Sequence, residues 1–345
     1  MMRVSTAALA SMAVAMMAFA DTAIDEVRTV GATGTVEVSN VKGRVDVAGW
    51  DRNEVRVSGT LGNNVERLEF THEDDDTEVR VVLPKRGRVG ETNLVIQIPV
   101  GNELVVDCIS GSIEVRDIKA DVELVTISGS VRVAGITGDV IAKSTSGSVR
   151  VENCSGDIEA KSTSGSVRLD NCKGDVEASS VSGSVRSING SGDIQAESFS
   201  GSVEVDGDFG DVEGRSTSGS VHIKTVRETA RASSVSGSIE ISGVTPREIE
   251  GRSNSGSVSY TGGLAPDAKL RARTHSGSVR LNLPADVSAR VHAQTFSGGI
   301  NNNLGGPTAV KLEDGPGKTL DIKLGSGSAS IDAQAFSGSV TLSPK

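Results

Sequence analysis

One triplet, Ser-Gly-Ser, recurs at a fixed interval and restricts the possible folds more than any other feature of this 345-residue chain. It returns in constant register through eight copies, which start at Ser110, Ser128, Ser146, Ser164, Ser182, Ser200, Ser218 and Ser236. The interval then lengthens by one position at Ser255 and by three at Ser276 and again at Ser297, where the triplet reads Ser-Gly-Gly, and a last triplet starts at Ser337. A register kept this long indicates that each copy is one structural unit stacked on its neighbours.

Aligned copies contain columns of apolar residues. The column three positions after each triplet start holds Val or Ile in all eight copies: Ile113, Val131, Val149, Val167, Val185, Val203, Val221 and Ile239. The next residue is polar, and the one after it is again apolar in seven of the eight copies. This alternation with a period of two is typical of a half-buried strand. A second strand follows in each copy, and its inward positions hold small residues such as Ala142 and Ala160.

These columns predict the fold. Short strands with identical apolar columns become buried when equivalent strands stack in parallel about 4.8 Å apart. We therefore expect an all-β, right-handed, single-stranded parallel β-helix (solenoid) with 18-residue coils, whose corners are the Ser-Gly-Ser turns. Aromatic residues make up only 2% of the chain, which fits a thin interior lined by small side chains.

The N-terminus has the order of parts of a secretory signal peptide. Arg3 precedes a stretch rich in Ala, Met and Val, and Ala18-Phe19-Ala20 is a small-x-small cleavage site. The alternative interpretation is a buried N-terminal helix. A signal peptide over residues 1–20, cleaved after Ala20, predicts a periplasmic or secreted protein.

The remaining chain, residues 21–345, is expected to form one continuous domain. We predict irregular β coils and a cap over 21–109, regular solenoid repeats over 110–298, and a C-terminal β cap over 299–345. No later segment approaches the ~20 apolar residues of a membrane helix, so no integral membrane anchor is expected. The net charge of −10 makes nucleic acid a poor partner.

An aspartate column marks the turn into the second strand, at Asp121, Asp139, Asp157, Asp175, Asp193 and Asp211. One interpretation is turn capping, in which each carboxylate accepts hydrogen bonds from backbone N–H groups of its own turn. The other is a row of Ca²⁺ ions, which prefer clustered oxygen ligands. The calcium-binding nine-residue Gly-rich repeat is missing, so capping is favoured, and no metal or cofactor is predicted.

An arginine stripe is expected on the outer face of the first strand: Arg132, Arg150, Arg168 and Arg186. Acidic neighbours such as Glu159 and Glu177 on the adjacent strand favour a solvated wall with ion pairs over a groove for anionic glycans. Carbohydrate grooves usually present aromatic platforms, which this chain scarcely has.

Cys154 and Cys172 are separated by one full repeat and therefore share a column in adjacent coils. An exported protein permits a disulfide, and we predict one between Cys154 and Cys172. The alternative is a pair of buried thiols that act as small apolar fillers, since Ile118 and Ile136 precede them in the column. Cys108 has no partner in its own column.

The N-terminal run VEVSNVKGRVDVAGWDRNEVRVSGTL, with its Gly49-Trp50-Asp51 step, and Ile98-Pro99-Val100-Gly101 precede the repeats. Together they resemble the bacterial family of β-strand-repeat proteins known as "putative adhesins", of unknown function. The resemblance implies a right-handed parallel β-helix on the cell envelope and brings no catalytic residues.

From the repeats and the resemblance we expect a non-catalytic exported β-solenoid, an adhesin or cell-envelope scaffold. It would present a repetitive surface to cell-surface or extracellular polysaccharide or to envelope protein, and the same repetition permits self-association. The alternatives are a polysaccharide-active β-helix enzyme and an envelope-stress signalling partner whose N-terminal cap binds a membrane sensor.

Overall fold

A computed structural model of the chain describes residues 22–312 and 315–345. Within these residues the chain forms 29 strands joined by hydrogen bonds into one sheet system, and no helix. The all-β series of stacked parallel strands is thereby confirmed. The signal peptide predicted over residues 1–20 lies outside the described residues.

The central part of the molecule consists of two parallel ladders. Their strands are β8 (Val122–Thr126), β9 (Val131–Ala134), β10 (Val140–Ser144), β11 (Val149–Glu152), β12 (Ile158–Ser162), β13 (Val167–Asp170), β14 (Val176–Ser180), β15 (Val185–Ser198), β16 (Val203–Ser216), β17 (Val221–Val226), β18 (Thr229–Ser234), β19 (Ile239–Gly243), β20 (Glu248–Ser253) and β21 (Val258–Gly262). Val140 lies beside Val122 of the preceding coil and Ile158 of the following one. Val149 is flanked by Val131 and Val167 in the same way. Equivalent columns therefore stack directly on each other.

The N-terminal end is closed by antiparallel strands. Its strands are β1 (Thr22–Thr29), β2 (Thr33–Trp50), β3 (Glu54–Leu61), β4 (Arg67–Glu73), β5 (Asp76–Val82), β6 (Thr92–Pro99) and β7 (Gly101–Arg116). The long strands β2 and β7 pair in parallel and start the two ladders. On the other edge of β2 lie β5 and β6, and these are covered by antiparallel β4, β3 and β1. The regular ladder thus ends in a different strand pattern.

The C-terminal end has an order in space that differs from the order in sequence. Its strands are β22 (Lys269–Thr274), β23 (Val279–Leu283), β24 (Ala289–Thr295), β25 (Ile300–Asn302), β26 (Val310–Lys311), β27 (Lys318–Leu324), β28 (Ala329–Ala335) and β29 (Val340–Pro344). β28 lies between β22 and β24, and β29 lies between β23 and β25. Antiparallel β27 covers the outer edge of β24. The last coil of the chain is therefore inserted between the two coils that precede it.

The interior is a single narrow core that runs through the stack. The inward Val, Ile and Ala residues of both ladders are buried. Phe209 is one of the few large side chains inside, and it occupies the space beside Gly190, where an added Cβ would lie 2.3 Å from its ring. Small residues on most coils keep the walls close together, and a glycine makes room where one large ring enters.

A buried hydroxyl at the end of the second strand connects each regular coil to the one before it. Ser144 Oγ donates to the Gly129 carbonyl at 2.8 Å and accepts from the Gly147 N–H at 2.8 Å. The same pair of bonds is made by Ser162, Ser180, Ser198, Ser216, Ser234, Ser253 and Thr274. We call this set the hydroxyl clasp. Glycine is required at the corner because a Cβ at Gly147 would lie 1.9 Å from the Gly129 oxygen.

A second corner follows the first strand of each coil, and residues at one of its positions have left-handed backbone conformations. Asp117, Gly135, Asn153, Asn171, Asn189 and Thr225 have φ between 54° and 69°. Asn and Asp tolerate this conformation better than other non-glycine residues. Asn171 Nδ2 also donates to Asn153 Oδ1 at 3.1 Å, so this corner is bonded from coil to coil.

Candidate functional site

The aspartate column caps backbone N–H groups, and these belong to the neighbouring coil rather than to the same turn. Asp121 Oδ1 accepts from the Asp139 N–H at 2.8 Å, and Asp139 Oδ1 accepts from the Asp157 N–H at 2.9 Å. The pattern continues from Asp157 to Asp211 at 2.9–3.4 Å. The prediction that these carboxylates cap backbone N–H groups is thus right, but the predicted partner is wrong. Stacking places the N–H of the next coil, not one of the same turn, within reach of each carboxylate.

The same column borders a shallow groove of about 540 Å³ along the second ladder. Its other wall carries Ile141, Glu159, Glu177 and Gln195. Within residues 22–312 and 315–345 no three His, Cys, Asp or Glu side chains are grouped closely enough to hold a metal ion. One oxygen of each carboxylate from Asp121 to Asp193 is already used by a backbone N–H.

The arginine stripe is a wall of ion pairs, with partners other than those predicted. Arg150 contacts Glu152 at 2.6 Å, and Arg168 contacts Asp170 at 2.6 Å. Residues two apart on one strand face the same side, which explains these pairs. The guanidinium of Arg150, with that of Arg132 at 2.9 Å, lowers the pKa of Glu152. The positive charge of the stripe is therefore balanced locally.

Glu159 and Glu177, the partners that sequence suggested for the arginines, pair with lysines instead. Lys161 lies 2.8 Å from Glu159 and 2.6 Å from Glu177, and Lys143 lies 3.0 Å from Glu159. The ammonium groups lower the pKa of Glu159, and the two carboxylates raise the pKa of Lys161. The charges form a row along the second ladder with little net charge to offer a ligand.

A line of mostly exposed side chains follows the Ser-Gly-Ser corner from coil to coil, and we call it the corner ridge. It consists of the residue before each triplet, in spatial order Ile109, Ile127, Thr145, Thr163, Val181, Phe199, Thr217, Val235, Asn254, His275, Phe336 and Phe296. Each carbonyl of the ridge except the last accepts the N–H that follows the next ridge residue, for example Ser146 N to Ile127 O at 2.9 Å. Phe199 is 58% exposed and Ile127 50% exposed. Twelve positions at ~4.8 Å give a ridge roughly 50 Å long.

The C-terminal part of the ridge is aromatic. The rings of His275 and Phe336 stack with centroids 4.7 Å apart, and Phe336 stacks on Phe296 at the same distance. The sequence analysis did not predict this line, because its column mixes Thr, Val, Ile, Phe, Asn and His. A column alignment that allowed Thr, Val, Ile and Phe together would have found an exposed line of mixed apolar character.

Cys154 and Cys172 lie one above the other in adjacent coils, both buried and both as free thiols in this structure. Burial raises the pKa of Cys172 to about 12 and also raises the pKa of Cys154. Cys108 belongs to another column, beside Thr126. The disulfide between Cys154 and Cys172 stays a prediction.

Stacked parallel strands, a continuous core and corners joined by hydrogen bonds define the class of this protein as a β-solenoid built from repeats. Within the described residues no helix is long and apolar enough to span a bilayer. The family model described as Toastrack DUF4097 matches residues 17–234 and again 210–343. The chain belongs to this family of unknown function, and the resemblance seen in the sequence is confirmed.

Two solved structures are similar to the chain over most of its length. One is a "putative cell adhesion protein" from Clostridium sporogenes, at 10% identity and a TM-score of 0.20, covering 94% of this chain and 100% of that one. The other is a "putative adhesin" from Bacteroides fragilis, at 10% identity and a TM-score of 0.27, covering 94% and 98%. Similarity this low carries no argument about function. Among curated proteins none matches the chain.

Proposed function

We propose that the protein is an exported, non-catalytic rod that acts as an adhesin or cell-envelope scaffold by presenting its corner ridge to a repetitive partner. We take the rod to be a right-handed helix of 18-residue coils, the hand that parallel crossover connections nearly always have. The proposed location is the periplasm or the cell exterior, after removal of residues 1–20. The partner would be a polysaccharide or an envelope protein.

The single observation that carries the proposal is the corner ridge. Its side chains are held on a rigid corner by backbone hydrogen bonds, and apolar members such as Phe199 and Val235 remain about half exposed. Exposed apolar surface that continues over many residues is typical of interaction sites. A contact repeated at each coil adds to its neighbours, so weak single contacts give useful affinity through multivalency.

The charged faces support the proposal less well. Their arginines and lysines pair with carboxylates at 2.6–3.0 Å, so a ligand would have to displace those partners. A catalytic role also gains no support from the thiols, since burial raises the pKa of Cys108 and Cys172 to about 12. A thiol must be ionised to act as a nucleophile.

The test compares two triple variants of the full chain on immobilised cell-wall polysaccharides and envelope-protein fractions. Replacing Val181, Phe199 and Val235 by Ser removes the apolar centre of the corner ridge. Each of these side chains is already half buried, and covering the rest by a partner would contribute about 1 kcal/mol to binding. Loss of all three contributions should lower the affinity roughly 100-fold. The matched control replaces Arg132, Arg150 and Arg168 by Ser on a charged face of the rod.

We expect the control to bind as the unaltered protein does. Equal binding by the ridge variant, or a larger loss in the arginine variant, would contradict the proposal. Cleavage of any acidic polysaccharide in the same panel would favour the alternative of a polysaccharide-active enzyme.

A further inference from the structure

The C-terminal coil, which we define as residues 326–345, occupies a slot between two coils that precede it in sequence. In the first ladder Val340 lies between Val279 and Ile300. In the second ladder Ile331 lies between Leu270 and Val291. The slot is thus lined on both sides by parallel strands that offer backbone hydrogen bonds.

The two walls of the slot also match each other. Leu270, Ala272 and Thr274 occupy the same columns as Val291, Ala293 and Thr295. The interval in sequence from Thr274 to Thr295 equals the interval from Ser253 to Thr274. The coils of Ser253 and Thr274 are direct neighbours in space. The coil with β24 therefore has the spacing and side chains of a coil that could follow β22 directly, and the C-terminal coil is an additional element between them.

The C-terminal coil lacks the hydroxyl clasp. Its residue in the clasp column is Ala335, where Thr274 and Thr295 stand on either side. Thr274 donates to the Gly256 carbonyl at 2.7 Å, and Thr295 donates to the Gly338 carbonyl at 2.8 Å. Alanine has no hydroxyl to offer the Gly277 carbonyl, so the C-terminal coil lacks the side-chain hydrogen bond by which each regular coil holds the coil before it.

The corner of the slot selects its occupant. A Cβ at Gly338 would lie 1.7 Å from the Gly277 oxygen, and a Cβ at Gly298 would lie 1.9 Å from the Gly338 oxygen. The occupant therefore needs glycine at this corner, with Val, Ile, Leu or Ala on the inward side of both strands. Residues 326–345 meet these requirements in this register, and every copy of the chain carries them.

We propose that the slot accepts the C-terminal coil of a second copy of this chain, so that two molecules exchange coils and join at their C-terminal ends. Exchange of an identical element creates no new kind of contact and replaces each bond in the slot with the same bond between copies. The proposal goes beyond the adhesive function and does not depend on it.

The experiment uses full-length chains with exposed single cysteines. Lys269, on the wall of the slot, lies beside Ser330 of the C-terminal coil. One copy carries Lys269→Cys and a distinguishing tag, and the other carries Ser330→Cys. After co-incubation and mild oxidation, we expect a covalent heterodimer on non-reducing gels, because a disulfide across this pair requires the coil of one copy to lie in the slot of the other.

The matched control pairs Lys269→Cys with Glu248→Cys, which lies beside Lys269 on the opposite side, in a coil that does not exchange. This pair should give no heterodimer above background. The internal reference is one chain with both Lys269→Cys and Ser330→Cys, which should close its own disulfide and then fail to exchange.

A further variant tests the missing hydroxyl. Ala335→Ser supplies the clasp, and one buried hydrogen bond should slow heterodimer formation by about 2- to 12-fold. Heterodimer no greater than in the Glu248 control, even near the melting temperature, would overturn the proposal. Dimers seen by light scattering without the Lys269–Ser330 disulfide would overturn it too, because they would join elsewhere.

Discussion

The hydroxyl clasp makes a quantitative prediction for Ser162→Ala. This serine is 6% exposed, donates to the Gly147 carbonyl at 2.8 Å and accepts from the Gly165 N–H at 2.9 Å. Alanine removes both bonds and leaves the Gly147 carbonyl and the Gly165 N–H without this partner at a crowded corner. With about 0.5–1.5 kcal/mol for each bond, the local loss should be about 1–3 kcal/mol.

The assay must be local, because long repeat arrays do not unfold in two states. Hydrogen exchange measured by mass spectrometry on peptides that span residues 147–165 reports the opening of the two coils involved. A loss of about 1–3 kcal/mol should accelerate exchange there by about 5- to 150-fold, with little change in peptides near β2.

The matched control is Ser164→Ala, in the same turn. Ser164 is exposed, and its backbone N–H, which the substitution retains, donates to Thr145 O at 2.9 Å. We expect its peptides to exchange as in the unaltered protein. If Ser164→Ala accelerated exchange as much as Ser162→Ala, the reasoning about the clasp would be refuted, and corner composition alone would explain the repeated register.

Three further predictions concern other columns. Ser187 is 1% exposed with an unpartnered hydroxyl, so Ser187→Ala should stabilise its coil by about 1 kcal/mol and slow local hydrogen exchange about 5-fold, whereas the clasped Ser180→Ala should accelerate it. Asp139→Ala should destabilise by about 1–2 kcal/mol through loss of the acceptor for Asp157 N, Asp139→Asn should retain most of the stability, and added Ca²⁺ should leave the melting temperature of the unaltered protein unchanged; a clear rise would favour the metal. In the reduced protein the raised pKa values of about 12 for Cys108 and Cys172 keep these thiols neutral when folded, so stability should be full below about pH 9 and fall as the pH rises toward 12. Replacing Cys172 by Ala should flatten that fall in pH-dependent urea titrations, and no change in slope would contradict it.

The ladder could be predicted from the sequence because burial repeats where sequence repeats. Val149, Val167 and Val185 are each followed directly by an arginine. In a strand, neighbouring side chains face opposite sides, so the valine is buried and the arginine is exposed. The arginine partners were also within reach of this argument, since Glu152 and Asp170 follow Arg150 and Arg168 by two positions and so share their face.

Other features depend on three-dimensional neighbours that no local pattern specifies. An aspartate after glycine indicates capping, but only the stacking of coils determines that the Asp139 carboxylate accepts from the Asp157 N–H. The inserted C-terminal coil is harder still, because the interval from Ser276 to Ser297 equals the preceding one and gives no sign of an intervening strand. The predicted boundaries at residues 109 and 298 and the disulfide stay predictions.

The placement of bonds in the hydroxyl clasp and the aspartate column bears on how such a protein changes over evolutionary time. Every one of these bonds lies within one coil or joins it to the coil immediately before or after it. A duplication or loss of one whole 18-residue unit would therefore restore all the partners at the junction and leave both ends untouched. The reach of the molecule can be altered in increments of about 4.8 Å without redesigning any single turn.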